Sequence, residues 1–347
     1  MKLLILFSLS YFVNHQVYAK DYDSALVTIP KEFSKNDTIE IKNMPPIRSQ
    51  DGLGLCTSFA VSALFDFYTC QAKKIDCSKI SPDQQASVLG IAKYAENTDL
   101  MDDPENSNNY KKIRIGGMAG DTCMNIINNF KKIPKESCAP FDLLMNINTT
   151  SIQNQKDNIV ALESKYKMSK EQKVDCVDCI ADDIKALFPF SGSKAKIKAA
   201  LGEPEYEKFL YSLLLPEKCN QDSKFQITAP SKELDYFPKE NEKIDRPGVV
   251  NKIKDILKNG TPIIADAVCM AEVFVEPKSK CNPGHSVVIS GYSQMCSTVK
   301  PIKCYDAFKV HNSWGQKWQD ENNDGWILAD EFIKRTHNMI GTFSWLK

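Results

Sequence analysis

The chain has 347 residues, 42% hydrophobic and 25% charged, which fits one large or two medium globular domains. Lys+Arg and Asp+Glu balance at 44 each, for a formal net charge of +0. No basic excess points to nucleic acid or an anionic membrane as partner, and there is no acidic tail.

Met1-Lys2, the apolar run Leu3 to Val13 and the ending Val17-Tyr18-Ala19 read as an export signal over 1–19, cleaved after Ala19. The run is too short to span a bilayer comfortably. No cysteine follows the cleavage point to carry a lipid, and no later run is long enough for a membrane helix. The expectation is an exported protein, secreted, periplasmic or lumenal, without a membrane span. Twelve cysteines in that setting read as a disulfide framework. Proximity suggests Cys70 with Cys77, Cys123 with Cys138, Cys269 with Cys281 and Cys296 with Cys304, with two of Cys176, Cys179 and Cys219 joined. With Cys56 set aside an odd number remains, so another thiol stays free or pairs with a second chain.

Residues 20 to 49 read as extended, with Pro45-Pro46 barring a helix. Gly52 and Gly54 then lead into Cys56, and Cys56, Phe59, Ala60, Ala63, Leu64 and Phe67 recur at helical spacing. Cys56 at the start of such a helix sits among unpaired N–H groups and partial positive charge, which favour the nucleophilic thiolate. Gln50, six residues earlier, offers an amide to a developing oxyanion. The same cysteine also reads as a small apolar cap on a core helix. Ser81-Pro82-Asp83 predicts a second helix with Pro at its first position and Val88, Leu89, Ala92 and Ala95 on its apolar side. A polar loop runs from Asn97 to Asn109. Gly116-Gly117 allows close backbone approach, and a short helix holds Cys123, Ile126, Ile127 and Phe130.

From 142 to 245 Lys and Glu become dense and apolar residues repeat at helical spacing (Ile184, Leu187, Phe188; Phe209, Leu210, Leu213, Leu214). This reads as a mostly helical insertion. Cys176-Val177-Asp178-Cys179 within it has redox or zinc spacing, but no second CxxC or nearby His accompanies it, so a structural disulfide or inert thiols is the plainer reading. After Pro247 come a helix over Val249 to Leu257 and strands at Pro262–Val268, His285–Ser290, Ala307–Asn312 and Gly325–Leu328. A helical first part followed by an antiparallel second part predicts an α+β protein with its cleft between them.

A thiol nucleophile needs a base and the base an orienting partner. Beyond the signal the histidines are His285, His311 and His337. His285 opens an apolar strand beside a loop, where a catalytic group would be presented. His311 and Asn312 are adjacent on a strand and face opposite ways, and His337 lies in a polar turn. Gln50…Cys56-Thr57-Ser58-Phe59-Ala60, Gly116-Gly117, Gly284-His285-Ser286-Val287-Val288 and Asn312-Ser313-Trp314-Gly315…Trp318, in this order, resemble the papain family of cysteine peptidases. The match covers about 40 to 141 and 246 to 347.

The resemblance implies a two-lobed fold. Residues 20–141 would supply an extended segment and a helical lobe with the nucleophile, 142–245 the insertion, and 246–347 an antiparallel, barrel-like lobe with His and Asn. It implies hydrolysis of peptide or protein substrates with no cofactor and no metal. Cys56 would be nucleophile, His285 its ion-pair partner and proton carrier, and Asn312 the orienter. Gln50 with the Cys56 N–H would be the oxyanion hole, and Trp314 would shield the Asn312–His285 bond. Gly116 and Gly117 would hold the substrate backbone. Met118, Pro283 and Ser286 would lie near the main specificity pocket, which suggests an apolar side chain there. Gly284 and Trp314 would also border the substrate.

Several features depart from the pattern. Leu53 and Arg114 stand where the family has a bridged cysteine pair or its neighbourhood. Thr57 replaces an aromatic residue. The stretch between Ala19 and Gln50 is shorter than the family's inhibitory segment. Two other readings keep the motifs: a silent peptide-binding protein, and a thiol acyltransferase on the same fold. Asp320, Asn322, Asp324, Gly325, Ile327 and Glu331 fit the spacing of a calcium loop, but no helix is predicted before them and Gly325-Trp326-Ile327 reads as a turn into a strand.

Overall fold

The computed structural model describes residue 29 and residues 32–50, 54–94, 118–130, 132–142, 152–171, 176–188, 191–215, 219, 224–239, 242–268, 284–334 and 342–347. The signal segment, Leu53, Arg114, Gly116, Gly117, Cys269, Cys281, Pro283 and His337 lie outside these. The extended N-terminal stretch contributes strand β1 (Ser34–Glu40). Helix α1 (Cys56–Lys73) follows, and every residue from Cys56 to Cys70 in it is buried. It ends where Lys74 turns left-handed (φ 55°), and Cys70 is bridged to Cys77.

The single helix expected from Ser81 is instead a short 3-10 turn, Pro82–Gln84, and a separate helix α2 (Val88–Tyr94). Tertiary bonds break it. The Ala86 N–H donates to the Asp66 carboxylate at 2.7 Å, Ala86 bridges to Lys135, and the Ser87 N–H donates to the Pro134 carbonyl. These bonds claim backbone groups that a continuous helix would need. Helix α3 (Ala119–Asn129) holds Cys123 as expected. Strand β2 (Lys132–Pro134) pairs with β3 (Lys224–Gln226).

The insertion folds as α4 (Ile152–Lys170), α5 (Val177–Leu187), α6 (Lys194–Leu201) and α7 (Tyr206–Leu214). Its last part is not helical: β4 (Leu234–Phe237) joins the main sheet. Helix α8 (Arg246–Lys258) starts on Asp245, whose carboxylate accepts the Gly248 N–H at 2.8 Å, an N-cap with Pro247 just inside. Then come β5 (Ile263–Val268), β6 (His285–Cys296), β7 (Cys304–His311), α9 (Gly315–Glu321), β8 (Trp326–Leu328), α10 (Ala329–Lys334) and β9 (Thr342–Leu346). The sheet order is β4-β9-β5-β6-β7-β8, with β1 on the far half of β6. All of these pairs are antiparallel, so the chain is α+β.

Two cores sandwich α1. Val61, Leu64 and Phe65 pack with Ile126, Ile264 and Val288 on the sheet side. Leu55 and Phe59 pack with Phe141 and with Leu162, Ile184 and Phe209 of the insertion. That is why α1 is buried all round: the insertion covers the face the sheet leaves open. The Cys138–Cys219 disulfide, 81 residues apart, fastens this arrangement. It corrects the expected Cys123–Cys138 pairing, and Cys123 is a free buried thiol. Cys123 points into the sheet-side core while Cys138 belongs to the insertion-side core, so sequence proximity misled. Cys176–Cys179 and Cys296–Cys304 are also bridged. In the chain-entropy account, closing the long Cys138–Cys219 loop contributes about 4–5 kcal/mol. Cys138→Ser/Cys219→Ser is therefore expected to lower the urea midpoint by a large fraction, and a change indistinguishable from zero would show that the insertion is held by packing alone.

Among the described residues no helix is long and apolar enough to cross a membrane, and no three His, Cys, Asp or Glu are placed to hold a metal. Within the calcium-like spacing, Asp324 pairs with Lys309 at 2.6 Å and Asp320 accepts from Gln316.

Candidate active site

Cys56 is the first residue of α1. Leu55, its N-cap, makes no side-chain cap bond, so the helix begins without a capping side chain beside the thiol. Strand β6 begins at His285 and lies against α1 in the sheet-side core. Cys56 Sγ donates to the Gly284 carbonyl at 3.5 Å, and the Ser286 N–H reaches back to the sulfur. The thiol is thus held by the backbone on both sides of His285.

Asn312 follows the end of β7, whose last residue, His311, pairs with Val288. Two antiparallel strands therefore bring His285 and Asn312 together, and His285 Nε2 lies 2.7 Å from Asn312 Oδ1. Nε2–H donates to that oxygen, and Nδ1 is the ring nitrogen left for proton exchange. Trp314 stacks on the imidazole with centroids 4.8 Å apart, and Trp318 packs edge-on against Trp314. Cys56 is 6%, His285 9% and Asn312 1% exposed, so the bond is screened from water.

Gln50 lies on a strap that runs beside the Asn312 segment. Its N–H donates to the Ser313 carbonyl at 2.7 Å, and its Oε1 accepts from the Ser313 hydroxyl. Ser49 bridges to Trp314, and the Gly315 N–H donates to the Arg48 carbonyl. Gly315 has φ +85°, and a Cβ there would press on Ser49, so glycine suits this close approach. Met118 precedes α3 as its N-cap.

Comparisons with known proteins add a distant likeness only. Xylellain, a cysteine protease from Xylella fastidiosa, gives a TM-score of 0.41 at 16% identity, over 90% of this chain and 87% of that one. SERA5E from Plasmodium falciparum gives 0.44 at 15%, over 92% and 96%. No protein-family model and no curated protein matches the chain. At these scores the likeness carries no argument about chemistry.

Electrostatics set the resting state. Burial pushes the Cys56 thiol up, against the pull of the Ser286 and Thr57 N–H groups. Burial also holds the His285 imidazole down at about 4, against the Asn312 bond. The expected helix-terminus preference for thiolate is opposed here by desolvation of the buried sulfur. His311 is likewise held near 4, by burial and by Lys309.

One residue here escaped the sequence reading. Asp266, 1% exposed, accepts the Ala119 N–H at 2.9 Å, the Gly120 N–H at 3.2 Å and the Ser286 hydroxyl. It thereby ties the start of α3 to the residue after His285. Ala267 beside it has φ 55°, and the β5–β6 register shifts between Ala265 and Val268. This is a bulge that re-aims the side chain. The available signal was a lone carboxylate inside Ile263-Ile264-Ala265-Asp266-Ala267-Val268.

Beneath the strap, Arg48 pairs with Glu136 at 2.7 Å, donates to Ser62 and lies over Phe59. Asp66 nearby is pushed to about 8, chiefly by burial, against an ordinary 3.8. From about pH 4 to 8 the folded chain keeps a proton that the unfolded chain releases, so stability falls as pH rises through that window. Asp66→Asn keeps an acceptor for Ala86 and loses the penalty. It is expected to gain about 2 kcal/mol or more near pH 8 and almost nothing near pH 4. Urea titrations across that range check it, and an equal gain at every pH would refute the assignment.

Proposed function

We propose that the chain is an exported papain-like cysteine peptidase with Cys56, His285, Asn312 and Gln50 as its catalytic set. The observation that carries this reading is the His285 Nε2–Asn312 Oδ1 bond of 2.7 Å, roofed by Trp314, at the end of the strand whose backbone holds the Cys56 thiol. In the two-lobed arrangement, residues 20–141 supply an extended segment, whose β1 lies on the sheet, and the helical lobe; 142–245 are an insertion whose helices pack on the outer side of α1 and whose β4 returns to the sheet; and 246–347 supply the rest of the β lobe. The substrate lies between the lobes against Gly116, Gly117, Met118, Gly284 and Trp314.

Solvent or substrate entering beside Gly284 relieves desolvation. The Cys56 proton passes to His285 Nδ1, and the Asn312 carbonyl steadies the imidazolium. The thiolate adds to the scissile carbonyl, and the oxyanion is met by the Gln50 amide and the Cys56 N–H. Collapse breaks the C–N bond, and His285 gives its proton to the leaving amine. Water, deprotonated by His285, then cleaves the thioester and returns the thiol.

The test is the rate of Cys56 alkylation against pH, read by peptide mass spectrometry, alongside cleavage of a peptide library. Labelling well below the ordinary thiol range of about 8.5, together with cleaved peptides, is the expected result. Labelling that rises only near that pKa, with no cleavage, would replace the enzyme by a peptide-binding protein on the same fold.

A further inference from the structure

The insertion holds a cystine whose placement does not fit a structural staple. Cys176 and Cys179 are joined across two residues at the start of α5. Cys176 is half-buried, while Val177, Asp178 and Cys179 are exposed. Both sulfurs of Cys70–Cys77 and of Cys138–Cys219 belong to buried residues, while Cys296–Cys304 joins a buried residue to an exposed one.

The bridge adds little to the fold. It closes the shortest loop of the four described disulfides, where the entropic gain is smallest. It spans a turn that the helix already closes: the Ile180 N–H donates to the Cys176 carbonyl, and Ile180, Ala181 and Ile184 are buried in the insertion core. Meanwhile Cys176 Sγ occupies the N-cap position and accepts the Cys179 N–H at 3.0 Å. A sulfur there carries negative charge more readily than an ordinary thiol. The neighbouring charges are Asp178, paired with Lys198 at 2.8 Å, and Lys194, paired with Asp182.

We infer that Cys176–Cys179 is a thiol–disulfide exchange site, taking as its reaction partner an external thiol or dithiol. An external thiolate attacks the exposed sulfur of Cys179. The S–S bond breaks, its electron pair leaves on Cys176, and the new thiolate is held by the Cys179 N–H at the helix start. A second external thiolate attacks the external sulfur of the mixed disulfide, releasing the oxidised partner and the Cys179 thiolate. In sum, two thiols become one disulfide while the cystine becomes a dithiol, and the reverse direction reduces a partner disulfide. This activity is independent of the peptidase reading.

The experiment uses the full chain as Cys56→Ser, so that no catalytic thiol takes part. The protein is equilibrated with graded mixtures of reduced and oxidised glutathione, or with a short two-cysteine peptide in both forms. It is then quenched in acid, alkylated and mapped. The expected result is reversible conversion of Cys176 and Cys179 together, with Cys70–Cys77 and Cys138–Cys219 still oxidised and the thermal midpoint unchanged. After reduction Cys176 is expected to alkylate about tenfold faster than Cys179 near neutral pH. Cys176→Ser, which lacks the resolving thiolate, should accumulate a mixed disulfide on Cys179. Faster exchange with glutathione or with the peptide identifies the partner as a small thiol or a polypeptide. A cystine that resists both, or yields only when the other bridges open on unfolding, overturns the proposal.

Discussion

His285→Ala is expected to lower kcat/KM for peptide hydrolysis by about 10³-fold or more while leaving the fold in place. His285 does two jobs in the proposed reaction, accepting the Cys56 proton before attack and returning it to the amine. The ring is also held by one bond, to Asn312, under one aromatic roof, Trp314. Removing it therefore takes away the base and the acid together, and labelling of Cys56 should retreat to the pH range of an ordinary thiol. Asn312→Ala should do less, since Trp314 still confines the ring. Stability responds in the opposite sense. His285 is held near 4 in the fold, so below about pH 6.5 the unfolded chain binds a proton that the folded chain refuses. His285→Ala removes that loss, and its acid unfolding midpoint should fall to lower pH. Unchanged hydrolysis in the variant would end the proposed mechanism.

Asp266→Ala is expected to be the most damaging substitution away from the reacting atoms. It strands the Ala119 and Gly120 N–H groups and the Ser286 hydroxyl in a buried place. At about 1–3 kcal/mol for each unsatisfied group, the loss is a large fraction of a typical domain's stability. Asp266→Asn is the milder variant and the more informative one. It keeps one acceptor but removes a negative charge that opposes ionisation of Cys56. Its Cys56 labelling profile should therefore move to lower pH even as the protein becomes less stable. A purely structural aspartate would lower the melting midpoint and leave that profile where it was.

The parts of the site legible in the sequence are those built from local pattern. The three-and-four spacing after Cys56 gave the helix, the apolar run after His285 gave its strand, and Asn312 fell at a strand end. What could not be read depends on distant partners. Asp266 looked like a stray charge in a strand because its three donors come from residues 119, 120 and 286. Cys138 found Cys219 because the insertion returns to the outer face of α1, which no spacing announces. Asp66 and Pro134 draw the backbone at Ala86 and Ser87 out of the helical path, against the local preference. Strands β4 and β9 are only a few residues long, too short for a pattern to stand out, and their places are set by the pairing of β4 with β9 and of β9 with β5.

The Cys138–Cys219 bond also closes residues 138–219, most of the insertion, into a covalent ring. A protease that cuts the chain once inside it opens the ring but frees nothing, because both new ends stay tethered through the two sulfurs and through the core that Phe59 and Phe141 share with Phe209. A clipped molecule would run as one species without reductant and as two pieces with it. Processing within this segment is thus compatible with an intact site at Cys56, and a two-chain form of the protein would still be one folded body.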